Sequence, residues 1–545
     1  MQRFATLYET LDATTSTRAK VDAIAAYLRE APPADAAWGV YFLAGGRPRR
    51  LVASRALREA ACAAAGVPPW LFDECYEAVG DLAETIAHLL DAPASADPLG
   101  LDEWMTHRLL PLRTIPAARL PGALAHVWSA LDARGRFVAN KLITGALRVG
   151  VSRALVVRAL AQAFGQDDKR VAQRMIGYTD DAKPPSAQRL LALACEDAGD
   201  DDDLRPFPFF LAHPLAGDPR ALGGREDWIA EWKWDGIRAQ LVRRADAVAI
   251  WSRGEELVTE RFPELAQAAM RLAPGVVVDG EIVAWDAAGA RPLSFARLQV
   301  RIARKRLTPK VLAEAPAVLV AYDLLEDGGE DLREHPLSER RARLERHLAA
   351  AGDERLRTSP LLDASDWDAL ARSRGEARMR GVEGLMLKRA ASRYGVGRTK
   401  SHPAGDWWKW KVDPLSVDAV LVYAQAGHGR RASLYTDYTF AVWDAPPGAP
   451  QRRLVPFAKA YSGLTDDEMR RVDTVVRRTT VEKFGPVRSL APTLVFELGF
   501  EAIQRSPRHK SGLAVRFPRM LRWRTEKPVD EADTLDTLRA LLDAL

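Results

Sequence analysis

The spacing of apolar residues predicts helices throughout the N-terminal part of the chain. Apolar side chains recur at i, i+3 and i+4 in residues 56–61, 81–90 and 154–164, which is the pattern of helices with one buried face. The acidic run at residues 196–203, followed by Pro206 and Pro208, cannot pack a core and is typical of a linker. We therefore expect an all-α domain over residues 1–205.

The spacing changes from Trp228 onward to the alternation that is typical of strands. Strands are predicted at residues 228–233, 238–242, 248–251 and 276–285, with a helical stretch at 338–348. Further short strands are predicted at 417–423, 438–443 and 493–498, with one helix at 466–483. These patterns predict an α+β domain with antiparallel sheets over residues 206–413 and a small β-barrel over 414–545.

Length and composition agree with a large globular protein. The 545 residues exceed one domain, and 47% hydrophobic with 28% charged residues can supply several cores. No run approaches the roughly 20 apolar residues that span a bilayer, and the first residues lack the apolar core of a secretory signal. We expect a cytoplasmic protein with no membrane partner.

Cysteine usage and net charge exclude some kinds of site. Cys62, Cys75 and Cys195 are too few for a disulfide framework or for two CxxC pairs around zinc, so we expect core thiols. The net charge of +5, from 78 basic and 73 acidic residues, is too small to identify a polyanionic partner. The positions of the charges are therefore more informative than their sum.

The candidate catalytic group is Lys233, in a string that also contains Glu231, Asp235, Gly236 and Arg238. A predicted strand ends in a glycine-containing turn and the next strand follows at once, so cations and carboxylates meet at one pocket mouth. A lysine in this position can act as a nucleophile after losing its proton, which neighbouring cations or a divalent metal favour. Taken alone, the string also fits a surface lysine beside a salt bridge.

Five further motifs follow this string in order along the chain. They lie at residues 252–255, 279–281, 322–323, 383–388 and 408–411. Together with the string around Lys233, the set resembles the motifs of covalent nucleotidyltransferases. The resemblance implies that Lys233 takes AMP from ATP as a phosphoramidate while pyrophosphate leaves, in a pocket that supplies cations and a metal ion.

The same resemblance implies a role for each of the other pocket residues. The nucleotide-binding set comprises Glu231 at the adenine edge, Tyr322 stacked on the base, Arg238 and Arg253 on the sugar and phosphates, Glu281 on the ribose, and Arg398, Lys409 and Lys411 at the phosphates. The set for Mg²⁺ comprises Glu281 and Glu383. Taken singly, Tyr322 and Glu281 also fit core positions, and it is the ordered set that favours the functional interpretation.

A further basic motif lies near the C-terminus. Residues 513–527 resemble the last motif of ATP-dependent DNA ligases, in which a mobile OB-fold brings basic residues onto the triphosphate. The resemblance implies that Arg519 and Lys527 contact the nucleotide, with Glu526 where the family often carries Asp. Between Glu501 and Lys527, eight basic and two acidic residues give a local charge of +6, which favours phosphate contact over a plain solvated surface.

Two other segments are candidates for DNA contact. Residues 140–152 look like the backbone-binding segment of the helical DNA-binding domain in larger ATP-dependent DNA ligases, although a helix-turn-helix packing joint fits this segment nearly as well. A basic strip without acidic residues is the second candidate, and it comprises Arg297, Arg301, Arg304, Lys305, Arg306 and Lys310.

Taken together, the chain resembles three-domain bacterial ATP-dependent DNA ligases over its whole length. The resemblance implies an all-α DNA-binding domain, an α+β adenylation domain and a C-terminal OB-fold β-barrel. It further implies the use of ATP and Mg²⁺, and a monomer that encircles nicked duplex DNA in repair, replication or recombination, held mainly by phosphate contacts.

Three alternatives are weaker. An RNA ligase or a capping-type nucleotidyltransferase would share Lys233 and most of the pocket, but would leave the N-terminal 200 residues unexplained. An NAD-dependent ligase is disfavoured because three cysteines cannot supply a four-cysteine zinc module. A nucleic-acid-binding protein with an inactive site is disfavoured because every motif residue with a chemical role is present.

Overall fold

The N-terminal region is helical, as the apolar spacing predicts. The computed structural model describes the chain apart from residues 49, 92–96, 181–182, 195–203, 305–306, 399–401, 403–404, 428–433, 486 and 544–545 and the side chain of residue 169. The helices are α1 (Gln2–Asp12), α2 (Thr17–Glu30), α3 (Pro33–Leu43), α4 (Ser54–Ala65), α5 (Pro69–Val79), α6 (Leu82–Leu89), α7 (Leu101–Glu103), α8 (Leu120–Ser129), α9 (Ala133–Thr144), α10 (Arg153–Phe164), α11 (Asp168–Arg174) and α12 (Ala187–Ala194). The linker expected at residues 196–203 lies outside the described residues, and so does Cys195.

Local sequence signals set the beginnings of several of these helices. Ser16, Asp81 and Asp132 each accept a hydrogen bond from a backbone N–H three residues further on, which caps α2, α6 and α9. Pro33 and Pro69 occupy the first positions of α3 and α5, where a missing N–H has no cost. The helix starts are therefore encoded locally, whereas the buried faces determine how the helices pack.

The middle region contains two sheets, and their strands are mostly antiparallel, as predicted. Its strands are β1 (His213–Pro214), β2 (Trp228–Trp232), β3 (Ile237–Arg243), β4 (Val248–Ser252), β5 (Val276–Asp286), β6 (Arg291–Pro292), β7 (Ala317–Asp327), β8 (Glu330–Asp331), β9 (Leu356–Thr358), β10 (Gly384–Arg389) and β11 (Trp407–Lys411). Its helices are α13 (Pro263–Ala269), α14 (Phe295–Ile302), α15 (Pro309–Glu314), α16 (Leu337–Ala351) and α17 (Trp367–Gly375).

The order of the strands brings the predicted motifs together. The larger sheet has the order β4-β3-β5-β7-β8, with β6 beside β5 and β9 beside β7, and the smaller sheet has the order β1-β11-β10-β2. Strands β5 and β7 are buried along almost their whole length, which explains their nearly continuous apolar runs. The motif at 279–281 lies on β5, that at 322–323 on β7, and that at 408–411 on β11.

The C-terminal region is rich in strands, as expected for the predicted barrel domain. Its elements are β12 (Leu415–Ala426), β13 (Tyr435–Trp443), β14 (Leu454–Ala460), α18 (Asp466–Thr479), β15 (Thr480–Phe484), β16 (Val487–Leu490), β17 (Val495–Phe500), β18 (Ala502–Arg505), β19 (Leu513–Arg516), β20 (Arg519–Trp523) and α19 (Leu535–Asp543). The main sheet runs β14-β13-β12-β16-β15, and β17 pairs with both β12 and β20. A buried core that includes Val472 and Val476 of α18 packs against this sheet.

The helix predicted at residues 466–483 is shorter than expected. It ends at Thr479, and residues 480–484 form β15, which pairs with β16. Thr480 and Val481 are β-branched, and such side chains fit an extended backbone better than a helix. Helical periodicity upstream of these residues concealed this change.

The chain divides into two units of dense internal contact. One unit comprises Met1–Tyr8, Pro48–Leu147 and Asp413–Leu545. The other comprises Glu9–Arg47 and Arg148–Val412, and so contains α2, α3, α10 and both sheets of the middle region. The helical region therefore contributes segments to both units.

Two smaller expectations concern cysteines and membrane segments. Cys62 is buried, as predicted for a core thiol, whereas Cys75 is half-buried, and both are free thiols. Within the described residues, none of the helices has both the length and the apolar character needed to cross a bilayer.

Candidate active site

Lys233 lies where the sequence predicts, directly after β2 and before β3. Its backbone continues the pairing of β2 with β10, because the Lys233 N–H donates to the Gly384 carbonyl at 2.8 Å and the Glu383 N–H donates to the Lys233 carbonyl at 2.8 Å. The backbone of this residue is therefore fixed by two elements that are 150 residues apart in the chain, while its side chain remains half-buried at the pocket.

Gly236 allows the turn after Lys233 to lie against β5. A Cβ atom added at this residue would come within 2.2 Å of the Ile282 carbonyl oxygen and 2.9 Å of Glu281 Cγ. Only glycine avoids this overlap, because the obstructing atoms include rigid backbone. Glycine is thus required here because the turn packs closely against β5, and this packing places Lys233 near Glu281.

The amine of Lys233 contacts a carboxylate from the smaller sheet. Lys233 Nζ donates a hydrogen bond to Glu383 Oε2, and Lys411 Nζ lies 3.4 Å from the same oxygen. Glu383 precedes β10, and Lys411 ends β11. One half-buried carboxylate is therefore shared by two ammonium groups from different elements.

Lys409 adds a third cation to this group. Burial lowers its pKa, and the positive charges of Lys233, Lys411 and Arg398 lower it further, while Glu383 opposes them. Trp410, between the two lysines of β11, is buried in a hydrophobic core, so Lys409 and Lys411 share the opposite face. Arg398 is exposed, and its charge acts on Lys409.

Glu281 brings a second carboxylate to the same place. Burial raises its pKa to about 7, with Glu383 and Asp279 adding to the rise and Lys233 and Arg238 opposing it. We call the set Lys233, Glu281, Glu383, Arg398, Lys409 and Lys411 the lysine cluster. Its described members carry four basic and two acidic groups, so the cluster has an excess of positive charge that suits a polyphosphate.

Behind the lysine cluster, acidic residues are buried and have dedicated partners. Glu231 is 1% exposed, and its two oxygens accept hydrogen bonds from Arg341 at 3.0 Å and from Lys388 at 3.2 Å. Asp323 and Arg340 are both fully buried and form a two-bond pair at 2.7 and 2.8 Å. Paired burial of this kind avoids the large cost of an isolated buried charge.

Asp279 extends this arrangement toward Arg238. Its carboxylate accepts hydrogen bonds from Arg238 at 2.7 and 3.2 Å and from the Tyr394 hydroxyl at 2.6 Å. Arg238 also donates to the Phe210 carbonyl. We call the set Glu231, Asp279, Asp323, Arg238, Arg340, Arg341 and Lys388 the buried network.

Tyr322 is enclosed between these groups. It is buried, its hydroxyl donates to the Gly280 carbonyl at 3.4 Å, and Lys388 Nζ lies 3.8 Å from the centre of its ring. Such a contact is a cation–π interaction. The structure therefore brings Tyr322 next to Glu231, since Lys388 contacts both.

Arg253 lies in the turn after β4 and is exposed. Its backbone N–H donates to the Arg238 carbonyl at 2.8 Å, which fixes the turn to β3. Glu255 in the same turn forms an ion pair with Arg153, the first residue of α10. The side chain of Arg253 is thus exposed, next to the strand that carries Arg238.

The sequence interpretation assigned no role to several members of the buried network. Arg340 and Arg341 lie on α16, whose highly charged sequence is typical of a solvent-facing helix. The sequence does contain one signal for the network, namely acidic residues within apolar strands: Glu231 on β2, Asp279 on β5 and Asp323 on β7. A buried carboxylate requires a cationic partner. That signal indicates that partners exist without identifying them.

The basic C-terminal motif is partly neutralised by an acidic residue outside it. Lys527 Nζ lies 2.7 Å from Asp418 Oδ2, and Arg524 donates to both oxygens of the same carboxylate at 2.8 and 3.0 Å. Arg519 begins β20 and is half-buried, without such a contact in the described residues. Arg524, which the sequence interpretation left without a role, is therefore as close to Asp418 as Lys527 is.

Part of the predicted DNA-contact segment at 140–152 faces inward. Asn140 is fully buried and accepts a hydrogen bond from Trp128 at 2.9 Å, while Lys141 pairs with Asp81. Both residues belong to α9 and stabilise the packing of helices. The part of the segment available for a ligand is therefore residues 145–152, where exposed positions alternate with half-buried ones and with the buried Val149.

The second basic strip is also interrupted. Arg301 is fully buried, donates to both oxygens of Glu264 at 2.6 and 2.7 Å, and lies over the ring of Phe262. Arg297, Arg304 and Lys310 are exposed, whereas Lys305 and Arg306 lie outside the described residues. The expectation of a continuous basic surface is wrong at Arg301, because its long side chain is needed to fill and neutralise a core.

The carboxylates of the lysine cluster fit a hard divalent cation. Glu281 and Glu383 supply oxygen ligands, which Mg²⁺ prefers. The other coordination positions of a bound Mg²⁺ are filled by water or phosphate oxygens. Within the described residues, no group of three or more His, Cys, Asp or Glu side chains could hold a metal by protein ligands alone. The site suits a metal ion that is bound together with a phosphate.

Three family models match successive parts of the chain. Residues 1–161 match the model for the DNA ligase N terminus, and residues 210–411 match that for the ATP dependent DNA ligase domain. Residues 431–527 match the model for the ATP dependent DNA ligase C terminal region. The second match contains the lysine cluster and the buried network.

Relatives with known names span almost the whole chain. A probable DNA ligase of Koribacter versatilis is 32% identical over 98% of this chain and 95% of its own length. A protein named DNA ligase 1 from Korarchaeum cryptofilum is 28% identical over 100% of this chain and 98% of its own length. A solved structure described as Pmar-Lig_Pre covers 96% of this chain and 99% of its own, with a TM-score of 0.62 and 16% identity, and so supports the fold alone.

Proposed function

The chain belongs to the family of ATP-dependent DNA ligases, which use ATP and Mg²⁺, and from this premise we propose that Lys233 is the residue that carries AMP. The observation that carries this assignment is the position of its amine. Lys233 Nζ donates to Glu383 within a cluster that has an excess of cations, and its backbone is fixed by β10. A nucleophile held against a bound polyphosphate in this way needs little further positioning.

In the first step, the Nζ atom of Lys233 attacks the α-phosphorus of ATP. A nitrogen–phosphorus bond forms as the bond from phosphorus to the pyrophosphate oxygen breaks in line with it. Glu383 is the nearest acceptor for the proton that Nζ loses, because it already accepts the hydrogen bond of that amine. Lys409, Lys411 and Arg398 would neutralise the phosphates and the leaving pyrophosphate.

A bound Mg²⁺ would neutralise phosphate charge and help to orient the reacting groups. We propose Glu281 and Glu383 as its protein ligands. The raised pKa of Glu281 supports this role, because burial next to other carboxylates leaves a site that gains from a cation. We also propose that Glu281 holds the ribose or a metal-bound water, as the sequence interpretation expects.

For the adenosine, we propose Glu231 at the adenine edge, Tyr322 as the base platform, and Arg238 and Arg253 at the sugar and phosphates. Arg253 is exposed, whereas Glu231, Tyr322 and Arg238 are held by contacts of the buried network. These three would therefore contact the nucleoside through the atoms that their internal partners leave uncovered.

We propose that Arg519 and Lys527 act on the triphosphate in the first step. The C-terminal domain would act as an OB-fold that moves between steps, because the groups that orient pyrophosphate would otherwise obstruct DNA. Asp418 would hold Lys527 and Arg524 while they are away from the nucleotide. We place the domains at residues 1–205, 206–413 and 414–545, with the hinge near residues 412–414.

In the later steps, AMP would pass to the 5′-phosphate of a nick, and the 3′-hydroxyl would then displace AMP to close the strand. We propose a monomer in the cytoplasm that encircles the duplex and binds it mainly through phosphates, so that affinity falls steeply with salt. Residues 145–152 and the exposed basic residues of the C-terminal strands are the proposed contacts. Phosphate contact does not depend on base sequence.

Nick sealing on defined substrates tests this function. Full-length protein with ATP and Mg²⁺ is expected to join a nick between two DNA strands and to work less well when the strands on both sides are RNA. A preference for RNA strands would favour an RNA ligase, and transfer of GMP rather than AMP would favour a capping-type enzyme. Loss of sealing on replacing ATP by NAD is the control for the nucleotide donor.

A further inference from the structure

An ion pair connects the helical region to the turn that carries Arg253. Arg153, the first residue of α10, donates from one guanidinium nitrogen to the Glu255 carboxylate and from the other to the Met175 carbonyl. The two side chains are 25% and 22% exposed, so most of the contact is shielded from solvent. All of these residues belong to the unit that contains both sheets.

The turn at Glu255 has an unfavourable backbone conformation. Its φ angle is +64°, in the left-handed region that non-glycine residues other than Asn and Asp rarely adopt. The Glu255 N–H donates to the Ser252 carbonyl at 2.8 Å, which closes a tight turn. Conformations of this kind persist where surrounding contacts hold them, and they are concentrated at functional sites.

The helical side of the contact is fixed as well. Lys20 of α2 is buried, and its Nζ donates to the carbonyl oxygens of Val149 and Gly150 at 2.8 and 3.0 Å. These carbonyls belong to residues 145–152, which run directly into Arg153. A buried ammonium bound to two backbone oxygens keeps this segment in one conformation, because releasing either oxygen would leave polar atoms unsatisfied.

On the other side of the ion pair, contacts connect the turn that carries Arg253 to the lysine cluster. The Arg253 N–H donates to the Arg238 carbonyl, and Arg238 lies opposite Glu281 in the pairing of β3 with β5. A continuous series of contacts within one unit therefore runs from Lys20 through residues 148–152 and the Arg153–Glu255 pair to the lysine cluster. Neither Arg153 nor Glu255 is a member of that cluster.

On the basis of the function proposed above, we propose that the Arg153–Glu255 ion pair is a positioning contact for the steps that use DNA. It holds residues 148–152, which belong to the same unit, at a fixed place relative to Arg253 and the lysine cluster. A DNA strand bound by that segment then presents its 5′-phosphate to the AMP on Lys233. Because neither side chain belongs to the lysine cluster, the pair is needed for nick sealing and not for loading of AMP.

The experiment compares full-length Arg153→Glu, Glu255→Arg and the double exchange Arg153→Glu/Glu255→Arg. Two rates are measured, namely AMP loading from ATP and single-turnover nick sealing by enzyme that already carries AMP. We expect each single variant to load AMP within about twofold of the parent and to seal about tenfold more slowly, and the double exchange to recover most of the sealing rate. Arg55→Glu, which makes the same charge change at an exposed pair with Glu59, is the control and is expected to seal normally.

Two outcomes would overturn the proposal. One is normal sealing by the single variants, and the other is an equal loss of loading and sealing that the double exchange does not repair. Glu255→Gly separates the ion pair from the backbone, because glycine accepts the positive φ without supplying a carboxylate. We expect slow sealing from it, and normal sealing would also overturn the proposal. Failure of the parent protein to load AMP would instead contradict the proposed function.

Discussion

The lysine cluster and the buried network are adjacent, but their charged groups are paired differently. In the lysine cluster, two ammonium groups share the half-buried carboxylate of Glu383, and the described basic groups outnumber the acidic ones. In the buried network, Arg340 donates to both oxygens of Asp323, and both side chains are fully buried. Glu231 likewise has one partner for each oxygen.

This difference separates two tasks. Dedicated pairs in a buried setting fix geometry, because releasing one partner would leave an uncompensated charge. Shared partners at a half-open position can be exchanged at small cost, so the cations of the lysine cluster can turn from Glu383 to a phosphate. The network is therefore expected to control stability, and the cluster is expected to control the reaction.

The largest effect on stability is expected where the buried network is broken. Replacing Arg340 by Met leaves the Asp323 carboxylate buried without its partner, and should cost about 3–5 kcal/mol in the free energy of unfolding of this region. The matched control is Arg343→Met on the same helix, which removes contacts with three partly exposed carboxylates and should lower the free energy of unfolding much less. Denaturant unfolding measures both, and equal losses would remove the distinction between the two regions.

A change in the lysine cluster should affect rate instead. Replacing Glu383 by Gln removes the charge that Lys233 and Lys411 share, together with one proposed metal ligand, and should slow AMP loading about 100-fold. Stability should change little, because neither lysine is fully buried. Glu345→Gln is the control, since this exposed carboxylate contacts Arg341 from outside the network at 2.7 Å. Normal loading by Glu383→Gln would show that the shared carboxylate has no part in the reaction.

The smallest effect is expected from changes in the C-terminal motif, which belongs to neither of these two regions. Arg519→Ala or Lys527→Ala should slow AMP loading about tenfold and change sealing by pre-adenylated enzyme by about twofold or less, because these residues are proposed to act on the triphosphate only. Arg470→Ala, on α18 with an exposed side chain that pairs with Asp467, is the control. Equal losses in both assays would contradict the proposal that the C-terminal motif acts only in AMP loading.

The sequence predicted the lysine cluster better than the buried network. The motif around Lys233 and the strands that carry it can be recognised locally, because alternation and turn residues act over a few positions. The partners in the network come from distant parts of the chain, such as Arg341, 110 residues from Glu231, and Lys388, 157 residues from it. Short-range patterns cannot indicate such pairs.

The same limit explains why the sequence does not reveal which basic residues face inward. Arg301 and Lys141 belong to the two candidate DNA-contact segments, and a charged side chain is solvent-exposed in most proteins. Each is instead held inward by a carboxylate that lies elsewhere in the sequence, Glu264 or Asp81. Only the three-dimensional packing, which brings these acids into reach, distinguishes such residues from surface cations.

Mass spectrometry of the protein after exposure to ATP and Mg²⁺ tests the central claim most directly. If Lys233 carries AMP, a peptide that contains this residue should gain about 329 Da, the mass of an adenylyl group, and lose it on addition of pyrophosphate, which reverses the phosphoryl transfer. The same peptide from Lys233→Arg should gain nothing. An adduct on another residue, or no adduct at all, would contradict the assignment of Lys233.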